Sequence, residues 1–166
     1  GSEEIEFAEQ FGIETAIVPG ISSALGVPAS NGISLTQRRV AESFWVITGT
    51  TSDHKLSKDV ALASQSSASV VILMGMSKLD EIISIYQNNR TDDLPVAIIQ
   101  NGTKDSQKKV VGTISSIAAL VQEHQLSSPA IIVIGEVVQN ASKLTAYFQE
   151  ENLDDEFIFQ NLDIAI

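Results

Sequence analysis

Short apolar runs and helical spacings alternate along this chain. "ETAIV" (14–18), "SFWVIT" (43–48), "SVVILM" (69–74), "PVAIIQ" (95–100) and "PAIIVI" (129–134) are continuous apolar stretches bounded by Gly, Pro or polar clusters. That pattern predicts strands buried on both faces. Between them, Leu79, Ile82, Ile83 and Tyr86 follow i, i+3, i+4, i+7 spacing, as do Ile114, Ile117, Ala118 and Val121. Each set predicts a helix with one buried stripe. "EEIEFAEQFG" predicts a further amphipathic helix at the start, with Gly12 as its C′ residue. "KKVVGTI" reads as an edge strand or hairpin arm. Repeated strand–helix alternation predicts an α/β fold, a single three-layer domain built on a mixed, mainly parallel five-stranded sheet.

Length and composition narrow this picture. A chain of 166 residues with 43% hydrophobic and 19% charged content suits one well-cored domain. We place that domain at residues 3–139, with 140–166 as an acid-rich tail of uncertain order. Gly1-Ser2 reads as a leftover cloning pair. There is no cysteine, so thiolate chemistry and disulfides are excluded, and two histidines are too few for a His-rich metal site. A net charge of −11 argues against nucleic-acid or anionic-membrane partners. The sequons at Asn89, Asn101 and Asn140 carry little weight where acidic residues stand in place of a basic leader region, and a cytoplasmic location is expected.

Ligands of open α/β sheets bind beyond the carboxyl ends of strands. The stretches that follow the apolar runs are Pro19-Gly20-Ile21-Ser22-Ser23-Ala24, Thr48-Gly49-Thr50-Thr51, Met74-Gly75-Met76 and Asn101-Gly102-Thr103. Small residues there let backbone amides approach a ligand; the plainer alternative is that turns need glycine. No P-loop, G-x-G-x-x-G, catalytic triad or calcium loop is present. Asp53-His54 reads as a surface pair, and Asp92-Asp93 as a solvated face.

The order of "VPGISSALGVPASNGISLTQR", "VITGT", "VILMGM", "PVAIIQNGTKDSQKKVVGTI" and "PAIIVIGEVV" resembles the uroporphyrinogen-III C-methyltransferases of the tetrapyrrole methylase family. The resemblance runs from Glu3 to Val138. It implies transfer of methyl groups from S-adenosylmethionine to C-2 and C-7 of uroporphyrinogen III, giving precorrin-2 for sirohaem and cobalamin, with S-adenosylhomocysteine as product. It also implies a two-domain homodimer with the cofactor folded between the domains. This chain resembles the second domain only. The Gly-Pro-Gly-Asp-Pro and Gly-Gly-Asp-Pro loops of the first are not in it, so the missing domain is expected to leave the fragment inactive.

By the same resemblance, Ser22, Ser23, Met74, Ala97, Gly102 and Thr103 bind cofactor, and no catalytic acid or base is assigned. "GISLTQRR" matches a loop that usually reads Gly-Ile-Pro-Leu-Thr-His-Arg, with Ser34 and Gln37 replacing the proline and histidine. Arg38 then either receives a carboxylate of the eight-carboxylate substrate or bridges to a neighbouring acid or subunit. Two other readings stay open: another precorrin methylase, or a non-catalytic α/β interaction module.

Overall fold

The computed structural model describes residues 1–141; the acid-rich stretch after Ala141 lies outside the described residues. Five strands form one sheet: β1 Phe44–Thr48, β2 Ser69–Leu73, β3 Pro95–Gln100, β4 Lys108–Thr113 and β5 Ala130–Ile134, in the order β1-β2-β5-β3-β4. The helices are α1 Ser2–Gln10, α2 Ser23–Ser30, α3 Asp59–Ala63, α4 Leu79–Asn89 and α5 Ile117–Glu123. Short 3-10 helices cover Met76–Lys78 and Glu136–Asn140.

The fully apolar central strands bury both faces by simple alternation. Val70, Ile72, Val96, Ile98, Ile132 and Ile134 point to one side, where they pack with Val60, Leu79, Ile82, Ile83, Tyr86 and Ile117 of α3, α4 and α5. Val71, Ala97, Ile99, Ile131 and Val133 point to the other. There they meet Ala24 and Val27 of α2, Ile33, Leu35 and Ala41 of the following loop, and Val137 and Val138. Three layers result, as the alternation of apolar runs and helical stripes predicts.

Two expectations are corrected. The sheet is mixed but not mainly parallel: only β1–β2 is a parallel pair, whereas β2–β5, β5–β3 and β3–β4 are antiparallel. The β3–β4 hairpin reverses the chain without a crossover helix, and α5 then carries it over β3 to insert β5 between β3 and β2. Alternation of strand and helix counts elements but does not register that reversal. Second, "ETAIV" is not a strand. Residues 13–22 carry no strand or helix, and Ile17 and Val18 are 77% and 89% exposed. A β-prone run becomes a strand only where a neighbouring strand offers a ladder and a pleated surface, and this one has neither.

α1 forms as its pattern predicts and ends at Gly12 with φ 69°, but it buries none of its residues. Its Phe7 and Phe11 rings meet in a tilted pair with centroids 5.0 Å apart. The helical stripe of α4 is buried at all four predicted positions. Tyr86 is nearly fully buried, and that burial pushes its phenol above the ordinary tyrosine range, with Arg90 nearby offsetting part of the shift. Because the folded value exceeds the unfolded one, this contribution to stability is intact below about pH 10 and is lost as pH rises beyond it. Spectrophotometric titration of a Tyr147→Phe variant should show no phenolate until the chain unfolds. A reversible signal near pH 10 from the folded chain would contradict this.

Candidate functional site

The sheet brings three strand-following loops to one end. The carboxyl ends of β1, β2 and β3 lie together with the start of β5, because Leu73 pairs with Ile131, and Gln100 with Ala130. Across this end, α2 lays its first two turns. Ser22 is its N-cap, with Oγ accepting from the Ala24 amide at 3.2 Å. Ser23, Val27, Leu73, Met74, Ile99, Gly102 and Lys104 help enclose a cavity of about 380 Å³, whose floor is Pro129, Ala130 and Ile131.

The loops are held by side chains from their neighbours. The Gly49 amide donates to the Leu73 carbonyl at 2.6 Å, and Thr50 Oγ1 donates to the Met74 carbonyl at 2.8 Å. In the β3–β4 loop, Gln107 Oε1 accepts from the Thr103 amide at 2.9 Å. The same side chain pairs with the buried Asn31 amide at the end of α2, by Gln107 Nε2 to Asn31 Oδ1 at 3.1 Å and Asn31 Nδ2 to Gln107 Oε1 at 3.3 Å. One glutamine therefore ties the loop to the helix on the opposite wall of the cavity. Met74, Asn101 and Thr103 all have left-handed backbone, with φ of 54°, 50° and 66°. Asn adopts this region readily, but Met and the β-branched Thr adopt it at a cost of about 1–3 kcal/mol each. Strained residues gathered at one end of a sheet mark a place where geometry is imposed from outside.

The walls are apolar and the polar groups few: the Ser23 hydroxyl, Asn101, Lys104 and loop backbone. A slot of this size and character suits a flat heterocycle with polar groups at its edge. Among the described residues no Asp, Glu or His lines it. Among the described residues no cluster of His, Cys, Asp or Glu is placed to hold a metal, and no helix is long and apolar enough to cross a membrane.

Residues 1–118 match the family described as tetrapyrrole (corrin/porphyrin) methylases. The chain belongs to that family. It is 39% identical over 140 residues to a uroporphyrinogen-III C-methyltransferase of Methanocaldococcus jannaschii, covering 83% of this chain and 58% of that protein. It is 37% identical over 153 residues to a sirohaem synthase of Chromobacterium violaceum, covering 92% of this chain and 33% of that one. In fold it is similar to a uroporphyrin-III C-methyltransferase of Thermus thermophilus crystallised with S-adenyl homocysteine: TM-score 0.70, 24% identity, covering 84% of this chain and 60% of the other. The chain thus spans between a third and three fifths of the length of these relatives.

Within this methylase fold the sequence-predicted residues are distributed unevenly. Ser23, Met74 and Gly102 line the cavity together. Ser22 caps the helix beside it, and Thr103 follows Gly102 with its hydroxyl bonded to the Gly102 carbonyl at 2.6 Å. Ala97 is fully buried two residues before the cavity-lining Ile99, in the layer between the sheet and α2. Arg38 is elsewhere: it lines a second cavity of about 460 Å³ with Thr36, Gln37, Arg39, Ala41 and Glu42.

Sequence reasoning gave no site role to Val27, Lys104, Gln107 or the residues at the start of β5. Gln107 carried a signal in its position after the Asn-Gly-Thr turn; the β5 residues carried none, since only the antiparallel insertion of β5 brings them here. The acidic pairs have local structural partners. Asp53 bonds Lys55 at 2.8 Å and Thr51, not His54, and these bonds hold its carboxyl below the usual range. Asp92 receives both arms of Arg90 at 2.7 Å, and Asp93 receives the Ser115 amide and hydroxyl.

Proposed function

We propose that this chain supplies one wall of the cofactor cleft of a uroporphyrinogen-III C-methyltransferase that methylates C-2 and C-7 to give precorrin-2. The single observation that carries this is the cavity at the carboxyl ends of β1–β3, where Ser23, Met74 and Gly102 converge on an apolar slot. S-adenosylmethionine would supply an activated methyl group on sulfur. The residues here fit such a group: an apolar lining for an adenine, the loop residues Met74 and Gly102 beside Ser23, and Ser22 and Thr103 next to them in the chain, with Ala97 in the layer behind. Their work is to hold donor and acceptor in line, since methyl transfer from a sulfonium depends mainly on alignment. Arg38 is assigned to a substrate carboxylate.

The exposed apolar residues of α1 and of 13–22, including Phe7, Phe11, Ile17, Val18 and Ile21, support a second wall packed against this side. A homodimer in the cytoplasm belongs to the same reading. Alone, the chain should bind S-adenosylhomocysteine about a hundredfold more weakly than the full-length protein, ~2.8 kcal/mol, and show no turnover. Calorimetric titration of both tests this. Equal, tight binding would show that one wall suffices, and no binding by the full-length protein would overturn the cofactor assignment.

A further inference from the structure

The turn that carries Arg38 shows a feature that the cofactor cavity does not explain. Residues 37–41 form a closed loop: the Gln37 amide donates to the Ala41 carbonyl at 2.8 Å, and the Ala41 and Val40 amides both donate back to the Gln37 carbonyl at 3.0 Å. Its tip is Arg38-Arg39, and both are exposed. Arg39 sits at φ 66°, a backbone region where glycine or asparagine is the comfortable choice. An arginine has been placed there against its own backbone preference.

Among the described residues neither arginine has an acidic partner. Every ion pair among the described side chains is made by other residues, although Glu42 lines the same cavity. The third arginine of the chain shows what a structural one does here: Arg90 grips Asp92 with two 2.7 Å bonds and gives a third, at 2.8 Å, to the Ser66 carbonyl. In a protein with 21 acidic and 10 basic residues, two adjacent guanidinium groups with no ion pair among the described residues form a local positive site. Their planar forks match carboxylates two bonds at a time.

The turn is also anchored. Asn140 Nδ2 donates to Gln37 Oε1 at 2.7 Å, linking it to the 3-10 helix whose Val137 and Val138 are buried on the sheet. Leu35 and Ala41, which flank the turn, belong to the same core cluster as Val27 of the cofactor cavity. The cationic tip and the cavity are therefore mounted on one face of one sheet.

We propose that Arg39 is a second substrate-carboxylate receptor beside Arg38, and that the Gln37–Asn140 hydrogen bond positions the turn that presents them. This rests on the tetrapyrrole reading above. Gln37, where the related loop has histidine, then serves as an anchor for the turn.

The test is titration of the 166-residue chain with uroporphyrin III, the stable oxidised macrocycle, followed by porphyrin fluorescence. Arg39→Gln should weaken binding about tenfold, and Arg39→Lys should recover only part of this, because an ammonium cannot bind in a bidentate manner. Asn140→Ala should weaken it about threefold. Arg39→Gly should raise the melting temperature by relieving the backbone yet weaken binding as much as Arg39→Gln, a combination that a purely structural arginine would not produce. Lys58→Gln, on an exposed and distant helix end, should change nothing, and competition by inorganic phosphate should be weak.

Unaltered binding by Arg39→Gln, an equal loss with Lys58→Gln, or no binding of uroporphyrin by the unsubstituted chain would each overturn the proposal. S-adenosylhomocysteine titrated into the full-length protein separates the two readings. Failure there, with uroporphyrin binding still sensitive to Arg39, removes the cofactor assignment and leaves the anion site standing.

Discussion

Replacing Gly49 with alanine is expected to destabilise the chain by about 2 kcal/mol and to loosen the end of the sheet that carries the cavity. A Cβ at Gly49 would lie 2.7 Å from the Gly75 Cα, 3.1 Å from its nitrogen and 2.9 Å from Ile72 Cγ2. Two of these three neighbours are backbone atoms, which no rotamer change can move. The opposing effect is small. Gly49 does not need a positive φ, so alanine would ordinarily gain about 0.4–1 kcal/mol by restricting the unfolded chain. Overpacking a closed contact costs about 1–3 kcal/mol and more when backbone must shift, so the clash decides the sign. Urea unfolding should show a lower midpoint with an unchanged slope. An unchanged or higher midpoint would mean that the two loops can separate freely. The sequence-level view of Gly49 and Gly75 as sites of ligand approach is thereby sharpened: here the two glycines approach each other.

The second large effect is expected at Gly102. A Cβ there would meet Val27 Cγ1 at 2.4 Å and Cγ2 at 2.6 Å. Val27 is buried in α2, and a β-branched side chain in a helix has essentially one rotamer, so it cannot swing aside. Gly102→Ala should therefore push α2 away from the Asn101–Gln107 loop, costing about 2 kcal/mol. It should also deform the cavity that both residues line, weakening S-adenosylhomocysteine binding by the full-length protein. Unlike Gly49, this contact is with a side chain, so it can be rescued. Val27→Ala alone leaves a void, but combined with Gly102→Ala it makes room for the new methyl. A double-mutant cycle should give a favourable coupling of at least about 1 kcal/mol. Additive losses would show that Gly102 is required for its backbone approach to ligand and not for its fit against α2.

Much of this was legible in the residues themselves, because it rests on local pattern. Alternation within VVIL, VAII and IIVI set which side chains face each layer, and the 3.6-residue spacing of Leu79, Ile82, Ile83 and Tyr86 set the buried stripe of α4. The small-residue loops after β1, β2 and β3 were found by the rule that ligands meet strands at their carboxyl ends. What local pattern cannot carry is pairing. ETAIV has the composition of a strand and no strand beside it. The antiparallel entry of β5 reverses the parallel expectation and brings Pro129, Ala130 and Ile131 under the cavity.

The sequence by itself determined the α/β class, the two-sided core, the family and the small-residue loops that follow the strands. These follow from side-chain chemistry repeated at short range. Only the tertiary structure decided that Gln107 clamps Asn31 76 residues away, that Gly49 and Gly102 are held by contact, and that Arg38 and Arg39 stand on a turn tethered by Asn140. Each of these is a meeting of residues far apart in the chain, and the free energy of such a contact depends on distances that no single segment specifies.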